Sequence, residues 1–298
     1  MNSTASTASP CVNIGPLRAL GFAYSARDAA PPPSDRCTHG AGHPMPPAPA
    51  RPPVASAIAN HPLHNQLLAA LPEAELQRWR PYLESVDLPQ GTLLYGAGRS
   101  TTHVYFPTTA VVSLAYLLED GSSADVAQVG HEGMVGMSHF MGGGSMITQA
   151  IVQSAGQGYR MHAEHLVNAF GRGGPVLNLL LRYTQALITQ IAQTAVCNRH
   201  HTLDQQLCRW LLRSLDLAGA NELVMTHEMI ASMLGVRREG VTAAAGQLSK
   251  AGLISYRRGH IAVLDRHGLE QRTCECYAVA KREQDRLLPA CTLSLKTA

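Results

Sequence analysis

The segment HEMIASMLGVRREGVTAAAG, residues 227–246, decides how this chain is read. Apolar residues fall at Ile230, Leu234, Val236, Val241 and Ala244, with the small Ala231 early in the segment and Gly235 near its middle. Two helices that cross steeply need this arrangement: a small side chain where they touch, a corner residue free to take positive φ, and apolar contacts on both sides. The segment therefore predicts a helix-turn-helix packed through Ala231, Leu234, Gly235 and Val241. Thr226 suits the N-cap of the first helix and Glu228 its positive end. The second helix is expected to begin near Arg237 or Arg238.

In such a unit the start of the second helix enters the major groove of DNA, so its first-turn side chains meet base edges. Arg238 can donate a fork of hydrogen bonds to guanine N7 and O6, Glu239 can accept from cytosine N4, and Thr242 follows one turn later. These three are the expected base contacts, while Arg237 and Thr226 are assigned to phosphate. Alone, the segment also fits a solvated turn between packing helices, because short helical hairpins are common. The stretch LISYRRGHIAVLD (253–265) adds a second feature. It reads as two short strands around a tight basic turn, a wing whose Arg257, Arg258 and His260 would lie along the DNA backbone, where charge matters and sequence does not.

Upstream, the periodicity changes twice. Residues 1–58 hold 11 of the 18 prolines together with Ser, Thr and Ala, which predicts a disordered tail. A translation start at Met45 is an alternative, and peptides from residues 1–44 would exclude it. Leu67, Leu68, Leu71, Leu76, Trp79 and Leu83 suggest two short helices joined at Pro72. From Val86 to Met161 short β-rich runs (LLY, THVYF, AVVSLAYLL, ADVAQV, ITQAIVQ, GYRM) alternate with turn residues, the mark of a small sandwich or barrel, here expected to be a jelly roll. The MGGGSM stretch (141–146) reads as a loop within it.

Pro175 suits the first turn of a long helical segment reaching about Leu217. Leu177, Leu180, Thr184, Leu187, Ile191 and Thr194 fall three and four apart on one face. That face is either a dimer seam, with Leu180, Leu187 and Ile191 as its core, or the side on which the helix packs against its own barrel.

The expected fold is thus α+β. A β jelly-roll domain (59–172) precedes a dimerisation helix (173–217) and a C-terminal winged helix-turn-helix (218–290), with a short tail at 291–298. This order of barrel, long helix and winged helix-turn-helix resembles the Crp/Fnr regulators. The pattern TxxxIAxxLGVxREGVT from Thr226 and the later GLISYxRGHI from Gly252 are close to their DNA-binding domain. The resemblance covers roughly 62–285 and is most specific over 225–265. It implies a cyclic-nucleotide-binding-like sensor barrel and a homodimer that places two recognition helices on a palindromic promoter site, with RNA polymerase as a further partner.

Two departures from that family matter. Where its cyclic-nucleotide-binding members hold phosphate with an arginine and a small hydroxyl residue, this chain has Thr148 and Gln149; Gly136 is followed by Met137, and Glu132 reads as a turn carboxylate rather than a ribose ligand. A buried phosphate without its arginine is penalised by several kcal/mol, so no response to cyclic AMP is expected. Ala243 stands where the catabolite-activator type has a further base-contacting arginine, which predicts a different sequence preference.

Composition narrows the remaining classes. The chain has 298 residues and a formal net charge of +3. From Met225 onward 11 Lys/Arg face 7 Asp/Glu, so the basic excess is concentrated near the helix-turn-helix. No apolar run approaches 18 residues and the start lacks the form of a secretory signal, so no membrane partner and a cytoplasmic location are expected. Seven cysteines without framework spacing read as free thiols. Cys197 and His201 share a helix face, but Cys274 and Cys276 are too close together for a standard zinc knuckle. Cys11 and Cys37 lack iron–sulfur spacing. Neither a metal nor a cofactor is therefore expected. The chain has no G-x-S-x-G elbow, phosphate-binding loop or H-E-x-x-H helix, and is not expected to be an enzyme.

Overall fold

Two short helices, α1 (Gln66–Ala69) and α2 (Glu73–Trp79), are parted at Pro72 and turn Leu67, Leu68, Leu76 and Trp79 inward. The computed structural model describes residues 61–119 and 121–288. The expected tails at 1–58 and 291–298 lie outside the described residues. Asn65 caps α1 by accepting from the Leu68 N–H, and its amide donates to the carbonyls of Pro107 (2.9 Å) and Gly133 (2.8 Å), which fixes the helix to the strands beyond.

Seven strands follow: β1 (Glu84–Leu88), β2 (Leu93–Tyr95), β3 (His103–Pro107), β4 (Val111–Leu117), β5 (Ser123–Val129), β6 (Gln149–Ser154) and β7 (Gly156–His162). They form two antiparallel sheets, ordered β1-β7-β3 and β2-β6-β4-β5, the expected jelly roll. Alternation along β3 shows why: Val104 and Phe106 are buried, whereas His103 and Tyr105 between them are half-exposed. One apolar core joins the strands to α1, α2 and the helices that follow. The glycine-rich stretch is a loop, with positive φ at Gly142 and Gly144.

After α3 (Ala163–Gly171) come α4 (Gly174–His200) and α5 (Leu203–Ala218). The single helix expected over 173–217 is therefore two. The chain leaves helical geometry at His201, and Thr202 opens α5 with a capping box to Gln205. Thr202 and Gln205 are a local start signal that apolar periodicity passes over. Of the two roles open to the Leu180 and Leu187 face, packing on the chain's own barrel is the one found, so these two leave the expected dimer seam, whereas Ile191 stays exposed. Leu180 and Leu187 are 2% and 4% exposed and pack into the chain's own core. Further apolar side chains of α4 are exposed at Leu181, Ile188 and Val196, with Leu181 and Ile188 two turns apart on one face. A helix with apolar residues on two faces does not disclose from spacing alone which face meets its own barrel.

The C-terminal part runs β8 (Glu222–Val224), α6 (His227–Leu234), α7 (Arg238–Lys250), β9 (Ile254–Arg257), β10 (His260–Val263), α8 (Arg266–Arg272) and α9 (Glu275–Leu287). Its strands form a sheet ordered β8-β10-β9. A second core is built from Leu207, Leu211, Leu223, Ile230, Leu234, Val241, Leu248, Ile254, Ile261 and Leu269, so α5 belongs with the helix-turn-helix by packing. The last helix, α9, lies against α4 and sends Leu287 into the first core. Among the described residues no helix is long and apolar enough to cross a membrane.

Candidate nucleic-acid interface

The corner between α6 and α7 is made by Gly235, at φ +65° and ψ +35°. Its N–H donates to Ser232 and that of Val236 to Ala231, which satisfies carbonyls at the end of α6. A side chain here would be held in left-handed geometry at a cost of about 1 kcal/mol or more. Its Cβ would also meet the Ala124 side chain of β5 at 3.2 Å. Ala231, Leu234 and Val241 are buried around the corner.

This packing decides which face of α7 is left open. Val241, Ala244, Ala245 and Leu248 turn inward, whereas Arg238, Glu239, Thr242, Ala243 and Gln247 are exposed together with the preceding Arg237. Arg237 is the N-cap and makes no side-chain cap bond, so the first amides of α7 have no side-chain acceptor there. Arg238 is 66% exposed and only loosely paired with Glu228, at 4.0 Å. The Thr242 hydroxyl donates to the Arg238 carbonyl at 3.0 Å. Gln247 is a polar candidate that a reading confined to the first turn of the helix misses.

The wing is a two-residue hairpin. Arg257 pairs with His260, and Arg258 (φ +48°) and Gly259 (φ +85°) form the turn between them. Arg257 and Arg258 are exposed and make no ion pair among the described residues. His260 differs: its Nδ1 lies 2.8 Å from Glu222 Oε1. Thr226 caps α6 by accepting from the Met229 N–H at 3.2 Å. The Met225 N–H donates to Gly259 at 2.6 Å, which brings the wing tip beside the start of α6.

His227 joins these pieces and was not singled out in the sequence. Its Nδ1 lies 3.0 Å from the Thr242 hydroxyl, and its ring stacks on Tyr256 at 4.0 Å. Burial, followed by the nearby Arg238 charge, lowers its pKa and favours the neutral imidazole. Its partners on α7 and β9 are remote in sequence, so no local pattern marks it.

A polar layer separates the barrel from α5. Arg213 donates to Glu132 at 2.8 Å and to Gln284 of α9 at 2.7 Å, and the other Glu132 oxygen accepts from the Gly130 N–H. Glu132 is thus the barrel end of a buried ion pair. Beside it, Gln128 and Gln153 both donate to the Ser214 hydroxyl. Asp125 on β5 is buried and hydrogen-bonded to Ser113. Burial, opposed by that hydrogen bond, pushes its pKa up from 3.8 to about 7. The folded chain then holds a proton that the unfolded chain has released. This group's contribution to stability is complete below pH 3.8 and is lost as pH rises to about 7. Urea unfolding of Asp125→Asn is expected to lack a fall in stability of up to roughly 1.4 kcal/mol per pH unit that wild type shows across that window. Equal slopes would place the proton elsewhere.

Four potential metal ligands also converge. Cys197 and His201, at the end of α4, meet Cys274 and Cys276, at the start of α9, with one donor atom from each residue inside a mutual separation of 4.8 Å. The four described cysteines, Cys197, Cys208, Cys274 and Cys276, are free thiols; what spacing along the sequence does not disclose is that three of them meet His201. The short spacing of Cys274 and Cys276 is no obstacle, because each pair completes the other across the fold. Burial pushes the Cys276 thiol up to about 12 and also raises that of Cys197, where the Arg209 charge opposes it.

Comparison with known proteins agrees with this geometry. Residues 205–272 match the family model of the Crp-like helix-turn-helix domain. Among solved structures, a Crp/Fnr-family transcriptional regulator from Eubacterium rectale has a TM-score of 0.57 at 21% identity, over 70% of this chain and 97% of that one. FixK2 from Bradyrhizobium japonicum has a TM-score of 0.56 at 20% identity, over 64% and 98%. The c-di-GMP-responsive global regulator CLP from Xanthomonas campestris has a TM-score of 0.53 at 14% identity, over 64% and 99%. No curated protein matches the chain.

Proposed function

We propose that this chain, which carries a Crp-like helix-turn-helix domain within the fold of the Crp/Fnr regulators, controls transcription by binding a palindromic DNA site as a homodimer. One observation carries the reading: α7 keeps its apolar face in the core and leaves Arg238, Glu239 and Thr242 open at its start, beside a wing that presents Arg257 and Arg258. In the proposal the first three residues read base edges. Arg237, Thr226, Arg257 and Arg258 hold phosphate, and His260 joins them only by leaving Glu222. The exposed apolar side chains Leu181, Ile188, Ile191 and Val196 on α4 support pairing of two copies. The site of action is the cytoplasm.

Selection from a pool of random duplexes tests this. It should enrich one sequence with two-fold symmetry, its half-sites about 34 Å apart centre to centre. Enrichment of no sequence would refute the reading. A contact with RNA polymerase belongs to the same proposal. It is checked by asking whether bound protein recruits polymerase to a promoter carrying the selected site.

The effector is not cyclic AMP on this account. Thr148 and Gln149 supply no cation for a phosphate, and the Glu132 carboxylate is already taken by Arg213. Calorimetric titration with cyclic AMP and with cyclic GMP should show no binding heat. Micromolar affinity for either would contradict the assignment.

A further inference from the structure

We infer that Cys197, His201, Cys274 and Cys276 bind one thiophilic divalent metal ion, of which Zn²⁺ is the expected occupant, and that this ion clamps the end of α4 to the start of α9.

The donor set comes first. Three cysteines and one histidine make up a structural zinc set, and a tetrahedral site takes four such ligands and no more. Their spacing agrees. Cys197 Sγ lies 3.5 Å from Cys274 Sγ, and Cys276 Sγ lies 3.6 Å from His201 Nδ1. Bonds of about 2.3 Å to sulfur and about 2.0–2.1 Å to nitrogen give a tetrahedron with edges of about 3.6–3.8 Å. All four donors fall within 4.8 Å of one another, which suits a single ion. A two-iron cluster would spread its ligands around a pair of metals.

The local structure supplies each ligand for a reason. Cys197 and His201 are one helical turn apart at the last turn of α4, and so share a face. Cys274 is the N-cap of α9 and Cys276 sits in its first turn, and both sulfurs lie beside Cys197 and His201 at the end of α4. The three cysteines form a buried cluster of their own, separate from both apolar cores. The second ring nitrogen of His201, Nε2, lies 3.4 Å from Glu275 Oε2. A carboxylate in that place holds the ring with Nδ1 turned to the ion, the usual arrangement around a metal-bound histidine. A Cys197–Cys274 disulfide is the competing use of the same atoms, but it leaves Cys276 and His201 converging on nothing.

The position gives the ion a role. His201 and Thr202 form the break between α4, which packs in the barrel core, and α5, which packs with the helix-turn-helix. An ion held there stiffens the joint through which the two parts are connected. Its existence does not depend on what α7 binds.

The test uses the full chain, purified under reducing conditions and stripped with a chelator, then titrated with Co²⁺ alone. One equivalent should bind, with the near-ultraviolet thiolate charge-transfer band and strong visible bands of a tetrahedral thiolate site, and Zn²⁺ should displace it. Cys276→Ser should weaken Co²⁺ binding at least tenfold and reduce the charge-transfer band. His201→Cys, which keeps four ligands, should still bind one equivalent with a stronger charge-transfer band. That variant keeps the test decisive should the serine variant fail to fold. Glu275→Gln should weaken binding by roughly tenfold or more. The inference is overturned by weak octahedral spectra with all thiols titrating as free, by unchanged Co²⁺ spectra in the folded cysteine and histidine variants, or by a Cys197–Cys274 disulfide in metal-replete protein.

Discussion

Placing two charges on the outer face of α4, Leu181→Asp with Ile188→Asp, is expected to yield a folded monomer whose affinity for the selected DNA site is lower by roughly 10²–10⁴-fold. Both residues are more than half exposed in the single chain, at 51% and 56%, so the substitutions remove little from its own core. In a pair of copies related by a two-fold axis the same residues would face each other, and four buried carboxylates without partners would forbid the contact. A dimer converts the second half-site contact into an intramolecular event, and a monomer loses that advantage without losing any contact to bases. Sedimentation should show the monomer, circular dichroism an unchanged fold, and a half-site duplex unchanged affinity. If the variant remains a dimer, pairing uses another surface. Leu180→Ala and Leu187→Ala are the contrasting controls: each should cost about 2–5 kcal/mol of stability, because both side chains lie in the core.

The second large effect concerns Arg238. Its guanidinium is exposed at the first turn of α7, and its only ion partner among the described residues, Glu228, is 4.0 Å away. Reorienting it toward a base therefore gives up little. Arg238→Ala is expected to lose about 1–3 kcal/mol on the cognate site, roughly fivefold to 150-fold, and to relax the preference at one base pair per half-site. Affinity for scrambled duplex should change much less. Uniform weakening on every sequence, with a shallower dependence on salt, would assign Arg238 to phosphate instead. Arg257→Ala in the wing should behave in that second way, which makes it an internal reference.

Most of the fold was legible from periodicity. The alternation of buried and half-exposed residues in β3 is a period-two signal, and the six strand runs read from the sequence overlie β2 to β7 but not β1, whose Glu84, Ser85 and Asp87 carry no apolar run. The two helices at α6 and α7 follow from a small residue, a glycine and an apolar set at fixed spacing, all local features. What escaped the sequence is set by contacts between distant segments. β8 is three residues long with a single buried side chain, Leu223, and is defined by its pairing with β10. The inward turn of Leu180 and Leu187 depends on where the barrel and α9 lie. His227 has a role only because Thr242 and Tyr256 arrive beside it. The convergence of Cys197 and His201 with Cys274 and Cys276 requires α9 to return along α4, which no motif in either segment announces.

The central claim is that the open face of α7 reads duplex DNA, and it is tested most directly by comparing the affinity of the full chain for its selected site and for a scrambled duplex across a range of salt. The account predicts that both affinities fall steeply as salt rises, while their ratio stays at about 10³ or more throughout. A ratio near one at every salt concentration would contradict it, because binding would then come from charge alone.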